Sequence, residues 1–260
     1  MPRIAKLAVT SVPVLSLGRD LIERMWELYS GHYDHVRRDT FDADLFEKER
    51  VFLGRDSGSG ELVGFSTATV YWHHGSGGKI GVCFSGDTII RPEYWGQRAL
   101  HRAFALWLLG WKLRHPRVPL YWFLICHGYR TYLSMVRYFP DHWPHFERGL
   151  PEPMRALIDS LGRERFNGSW NAERGVVRFG PEQPVLRATV APFTRAVLDL
   201  PEIQFFVAAN PGYAEGDELA MIGRVNLAFA RGLVRKFLSR GRMARGAPRT
   251  IGQPAAVSRQ

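Results

Sequence analysis

Apolar residues along the chain fall into short blocks divided by glycine, proline and acidic turns, and each block has a recognisable period. Residues 7–15 form a mostly apolar run that reads as a strand. Residues 19–29 follow, with Leu21, Met25 and Leu28 near helical spacing, and 42–48 read as a short second helix. Residues 51–54 and 62–72 are strand-like runs joined by Asp56-Ser57-Gly58-Ser59-Gly60, a turn rich in residues that tolerate positive φ, so the pattern predicts a hairpin. A second glycine-rich turn at 73–78 leads into the long apolar run 80–90. A helix then extends to about residue 113, with Leu100, Phe104, Trp107 and Trp111 marking an apolar stripe. Residues 120–126 read as a buried strand and 129–138 as a helix stopped by Pro140.

Beyond residue 140 the blocks are less regular. The pattern predicts a helix over 151–165, strands at 176–179 and 203–208, and a last helix from 217 to about 239. On that last helix Leu219, Ile222, Val225, Phe229, Leu233 and Phe237 make the apolar face and arginines cover the other side. After Gly241 the chain turns to Arg, Gly, Pro, Ser and Ala, a composition that predicts disorder. The expected organisation is a domain over 1–215 with an insertion at 141–200, a basic amphipathic helix over 216–243 and a tail over 244–260.

Composition narrows this picture. With 45% hydrophobic and 23% charged residues the 260-residue chain has an ordinary globular make-up. No apolar run approaches the roughly 20 residues needed to cross a bilayer. The N-terminal residues have no apolar core before a small-residue cleavage site, so no secretory signal is expected. The two cysteines, Cys83 and Cys126, exclude a disulfide scaffold; with them goes the expectation of a reducing, cytoplasmic setting.

The block 80–138 carries the chemistry. A strand runs into the turn Arg91-Pro92-Glu93-Tyr94-Trp95-Gly96-Gln97-Arg98, the turn opens a helix, and a strand and a helix follow. The first amides of a helix have no intrahelical partner and lie at the positive end of its dipole, where a pyrophosphate binds well. In Ile90 to Gln97, in the hairpin 51–72 with its Leu62-Val63-Gly64-Phe65-Ser66-Thr67, and in the strand and helix at 120–126 and 129–139, the sequence resembles the GNAT acyltransferase superfamily over about residues 5–140.

The resemblance implies an α/β (α+β) fold with a mixed, splayed β-sheet flanked by helices. It implies acetyl-CoA or another acyl-CoA as donor, with pantetheine against the backbone of Thr88, Ile89 and Ile90 and pyrophosphate on the turn Gly96, Gln97, Arg98, Ala99 and Leu100. The reaction it implies is attack of an amine, on a small molecule or a protein, on an acyl thioester. The turn departs from the family pattern: Gly96 matches, but Arg98 and Leu100 stand where small residues are expected. Arg98 can compensate through its own side chain. One alternative expectation is a long acyl chain carried on the phosphopantetheine of an acyl carrier protein; a third is a non-catalytic binding protein of the same fold that contacts membrane or nucleic acid through its basic helix.

Three side chains are candidates for acid–base work. Asp87 lies inside an apolar strand, where a carboxylate must be paired or face a cleft, and there it can serve as base or as anchor for an amine. Its structural alternative is a solvent-facing strand residue. His127 ends the strand at which the family's sheet opens and can take or relay a proton, against a structural hydrogen-bonded role. Tyr132 is in the first turns of the next helix, from which the family often presents a tyrosine to the thioester sulfur; Ser134, Tyr129 and Tyr138 compete for that role. Cys83 and Cys126 fall on strands expected to be neighbours and read as small buried groups. His73-His74 and His142-Trp143-Pro144-His145 match no ligand spacing, so no metal is expected. Glu93 belongs to the turn.

Charge is unevenly spread. From Arg224 to the end there are nine basic residues and no Asp or Glu, whereas the preceding 223 residues carry 26 basic and 25 acidic groups. Such a segment is either solvated or meets an acidic partner. Arg231, Arg235 and Lys236 are the expected contacts for an acyl carrier protein; a peripheral membrane contact is the alternative, and nucleic acid is ranked last.

Overall fold

The computed structural model describes residues 6–75, 77–126, 128–179, 185–186 and 198–238. Its elements in chain order are β1 (Leu7–Pro13), α1 (Arg19–His32), β2 (Tyr33–Asp34), α2 (Arg38–Phe46), β3 (Arg50–Asp56), β4 (Leu62–Gly75), β5 (Gly78–Ile90), α3 (Ala99–Arg114), β6 (Leu120–Cys126), α4 (Tyr129–Tyr138) and β7 (His142–Trp143). They continue with α5 (Glu152–Phe166), β8 (Trp170–Asn171), β9 (Val176–Val177), β10 (Val185–Leu186), α6 (Pro201–Ala209), β11 (Glu218–Arg224) and α7 (Leu227–Leu238).

The main sheet runs β1-β3-β4-β5-β6-β11-β9-β8, and β7 also pairs with β11. All its pairs are antiparallel except β5 with β6, which are parallel. Strand β6 sorts its side chains by the period of two: Leu120, Trp122, Leu124 and Cys126 join the core under α3, α4, α6 and α7, and Tyr121, Phe123 and Ile125 join the core under α5. A separate core of Met25, Leu28, Tyr29, Phe41, Leu45, Phe65 and Ile89 packs α1 and α2 on the α5 side. The result is three layers, helices on both faces of one mixed sheet, as expected for the fold class.

The N-terminal half follows the sequence pattern closely, with α2 beginning earlier than expected, at Arg38. Two expectations further on are overturned. The run 203–208, read as a strand, lies in helix α6. Pro201 at its first turn and Asn210-Pro211-Gly212 after it are helix start and stop signals that outweigh the β-branched and aromatic content. The helix expected from 216 begins only at Leu227; Glu218–Arg224 is instead strand β11, paired with β6 from Leu219↔Cys126 to Arg224↔Tyr121. The expected boundary at residue 215 therefore cuts the sheet. Asn226 divides strand from helix: its Oδ1 accepts from the amide of Phe229 at 3.0 Å, an N-cap within what read as one helical pattern. The expected disordered tail lies outside the described residues.

Candidate active site

The parallel pair β5/β6 is short. It holds from Gly81↔Leu120 to Phe84↔Phe123 and then opens, so Ser85–Ile90 and Leu124–Cys126 run on without pairing each other. A bulge in β5 lies at the opening. Ser66 faces Thr88 and Ala68 faces Ser85, which leaves Gly86 and Asp87 opposite the single residue Thr67. A Cβ on Gly86 would sit 2.5 Å from Thr67 Oγ1 and 2.9 Å from Lys48 Cε, so a larger residue there would have to displace these side chains. At the crotch of the fork Trp122 Nε1 donates to Ser85 Oγ at 3.0 Å.

Carboxylates collect on the α1/α2 side of this fork. Asp87 comes from the bulge, Glu218 from the start of β11, and Asp44 from α2. Burial pushes the Asp87 carboxyl up to about 7, helped by the charge of Asp44 and opposed by that of Lys48. Burial, and then the charge of Asp87, push Glu218 up to about 8. Both carboxyls are thus held above the usual carboxylate range, and Lys48 opposes the rise at Asp87. Lys48 is itself buried and engaged: its Nζ contacts the Asp44 carboxylate and donates to the Asp44 carbonyl at 3.0 Å. Tyr29 and Tyr33 complete this side, their hydroxyls held protonated by burial and by the negative charge of Asp87. Thr67 Oγ1 is buried without a hydrogen-bond partner in the same layer.

The opposite side of the fork carries the turn and the start of α3. Arg98 occupies the N-cap of α3 and makes no side-chain cap bond, and Gly96 adopts φ +77°, exposed, with open space where a Cβ would be. Arg130, at the start of α4, stacks its guanidinium 4.7 Å from the Trp95 ring centroid and so brings a second positive group to the turn. A helix start with no side-chain cap, an open glycine turn and flanking guanidinium groups fit a diphosphate, and the unpaired edge of β5 fits an extended pantetheine arm.

Several expected contacts fall elsewhere. The Ile90 carbonyl accepts from Trp95 Nε1 at 2.7 Å, so that backbone group is already used. Gln97 directs its side-chain oxygen to the amide of Leu7 at 2.8 Å and ties the turn to β1. Leu100 packs into the core beside Phe104, which explains an apolar residue at a position where the resemblance implies a small one. Thr88 bonds Ser66 through its hydroxyl at 2.7 Å, and Ile89 is buried under α1 and α2.

Among the described acid–base candidates, Asp87 is at the fork with others of its kind. His127 lies outside the described residues. Tyr132 is fully buried, its hydroxyl lacks a hydrogen bond, and its ring packs 5.4 Å and 6.3 Å from Phe206 and Phe205 of α6. The α4 face turned toward α3 carries its competitors instead: Tyr138 stacks on His101 at 4.9 Å and Ser134 Oγ lies 3.4 Å from His101 Nε2. Tyr132 is thus enclosed in the core beside Cys126 at the end of β6, with burial raising its hydroxyl above the ordinary tyrosine range. Cys83 and Cys126 are buried with thiols pushed well up by desolvation. The histidines are held by local bonds: His73 Nδ1 on Glu164 at 2.6 Å, His142 Nδ1 on the Phe139 carbonyl at 2.7 Å, and His145 Nδ1 accepting from the amides of Glu147 and Arg148.

Sequence reading missed Glu218, which looked like an acidic first-turn residue of a helix, and Arg130, whose place in the first turn after β6 is its only signal. Tyr29 was inside a helical pattern with nothing to mark it.

The site is thus a mixed sheet forked beside a bulged strand, with an uncapped helix start on one side and half-buried carboxylates on the other. Among solved structures the chain is similar to a probable N-acyltransferase of Enterococcus faecalis, at 16% identity and TM-score 0.38 over 50% of this chain. It spans about a third of that protein, 32%. It is also similar to Arabidopsis thaliana NAA60 solved with acetyl-CoA, at 14% identity and TM-score 0.36 over 50% of this chain and 84% of that one. A third similarity is to the NatC complex bound to Gag peptide and CoA, at 10% identity and TM-score 0.40 over 84% and 99% of the two chains. No family model and no curated protein matches the sequence.

Proposed function

We propose that this protein transfers an acyl group from the thioester of an acyl-CoA to an amine. The observation that carries the reading is the fork itself: an unpaired backbone edge beside an uncapped helix start, opposite the carboxylates Asp87 and Glu218. The donor enters from the α3/α4 side, with its diphosphate at the start of α3 between Arg98 and Arg130. The acceptor enters from the α1/α2 side as an ammonium ion. Ionised Asp87 takes one nitrogen proton, the neutral amine attacks the thioester carbonyl, the C–N bond forms as the C–S bond breaks, and the second nitrogen proton leaves with the thiolate. Tyr29 and Tyr33 line the acceptor side, together with Glu218, whose carboxyl is held well above the usual range by burial and the charge of Asp87.

A thermal-shift series with CoA, acetyl-CoA and longer acyl-CoAs tests the donor site. At about 100 times Kd a ligand of the native state adds about 2.7 kcal/mol. In a chain of this size that is a rise of several degrees in Tm. Mass spectrometry of mixed amines incubated with each donor, holo-acyl carrier protein included, then reads the transfer. No shift with any CoA species and no acylated amine would sink the reading; turnover with the carrier donor alone would replace CoA by carrier-borne phosphopantetheine.

A further inference from the structure

Helix α7 packs Phe229 and Leu233 into the core under α4, Phe229 stacking 4.5 Å from Phe139. Its outer face carries Leu227, Arg231 and Val234 at i, i+4 and i+7, with Arg235 alongside. Leu227 is 72% exposed and Val234 56% exposed, which makes them two of the few large apolar side chains left in water among the described residues.

Elsewhere some exposed arginines, such as Arg24, Arg117 and Arg174, also form no ion pair with a described residue, and others are balanced by acids. Arg38 is paired with Glu23 and Asp42, Arg91 with Glu61, Arg163 with Asp159, Arg165 with Glu47 and Arg178 with Asp217. Arg224, Arg231 and Arg235, and Arg137 on the α4 helix against which α7 packs, are exposed and form no ion pair with any described residue. Five further arginines and no acid follow in the sequence from residue 239 onward.

We infer that the exposed face of α7 is a peripheral docking surface for an anionic lipid bilayer. The two properties of the face point to one occupant. Uncompensated arginines seek phosphate-bearing headgroups, and a leucine and a valine set between them gain by entering the boundary between headgroups and acyl chains. A nucleic acid backbone answers the charge but gives the apolar pair nothing to contact. The helix is anchored to the core by its other face, so it lies along the surface and does not insert. In this position α7 would hold the enzyme beside membrane-borne substrates without taking part in the chemistry at the fork.

Flotation of the full chain with two kinds of vesicle tests this. One kind is phosphatidylcholine alone; the other contains about 30% phosphatidylglycerol, enough to give the surface a negative potential. The chain is expected to float with the anionic vesicles and not with the neutral ones. L227S/V234S and R231E/R235E, at exposed positions and checked for an unchanged Tm, are each expected to weaken binding about tenfold or more. Absence of binding, equal binding to both vesicles, or unchanged binding of L227S/V234S would each overturn the inference. So would tighter capture of duplex DNA or of an acidic carrier protein that only R231E/R235E abolishes.

Discussion

At the scale of single residues, the fork brings two raised carboxyls together, Asp87 and Glu218. Asp87→Asn is expected to lower kcat/KM about 10²–10³-fold, the range for loss of a positioned base, with the fold intact. For the proposed transfer, log kcat/KM of the unsubstituted protein is expected to rise with pH through about 7 as Asp87 loses its proton, and D87N to abolish that limb. Stability carries the opposite sign. Both carboxyls hold protons more tightly folded than unfolded, so their contribution is complete below about pH 4 and is lost as pH rises through 7 to 8. Thermal unfolding between pH 5 and 8 should show the unsubstituted protein losing stability relative to D87N/E218Q, by several kcal/mol and at most about 6 kcal/mol for the two groups together. A constant difference would refute the assigned shifts. Tyr132→Phe checks the converse. Its hydroxyl is buried and makes no hydrogen bond, so its removal should leave Tm unchanged or slightly higher and turnover within about twofold. A loss of about 10² in kcat would return Tyr132 to the chemistry.

Among elements, the readable part of the sequence was the part whose packing is local. Strands β3 to β6 announce themselves because each is an apolar run bounded by Gly, Pro or Asp, and their hairpins and the β5-α3-β6 crossover are consecutive in the chain. The bulge was only half legible: Asp87 stood out as a carboxylate in an apolar strand, whereas Thr67 and Gly86 gave no hint that they would face each other. Strand β11 was illegible for a physical reason. Helices cover both faces of the sheet there, so Leu219 and Met221 on one face and Ala220 and Ile222 on the other are all buried, and no alternation survives. Joined to the true amphipathic helix α7, that run imitates a single long helix. The consequence is a sharp difference between two truncations. A chain ending at residue 215 lacks the strand that covers β6 and should fail to unfold cooperatively by calorimetry. One ending at 238 retains every described element and should unfold with a Tm within a few degrees of the full chain. Cooperative folding of the shorter chain would show that β11 is dispensable.

For the molecule as a whole, the sheet acts as a partition with one gap. The helix start and guanidinium groups proposed for the donor are on the α3/α4 side, the carboxylates and tyrosines on the α1/α2 side, and the strands part between Phe84/Phe123 and their ends. Two substrates that approach through opposite layers can be bound at once, which favours direct transfer over a covalent acyl-enzyme. The two thiols agree with this: both are buried, and desolvation holds them protonated, so neither is poised as a nucleophile. Initial rates measured against both substrates should therefore give intersecting double-reciprocal lines, the pattern of a ternary complex. C83A/C126A, each change leaving a small apolar group at a buried site, should retain turnover within a fewfold once a loss of about 1–2 kcal/mol in stability is allowed for. Parallel lines, with intact protein trapped at the mass of one added acyl group and that mass abolished in the double variant, would mean that one donor loads the chain before the amine arrives, and the two-sided arrangement would then serve sequential visits to one cysteine.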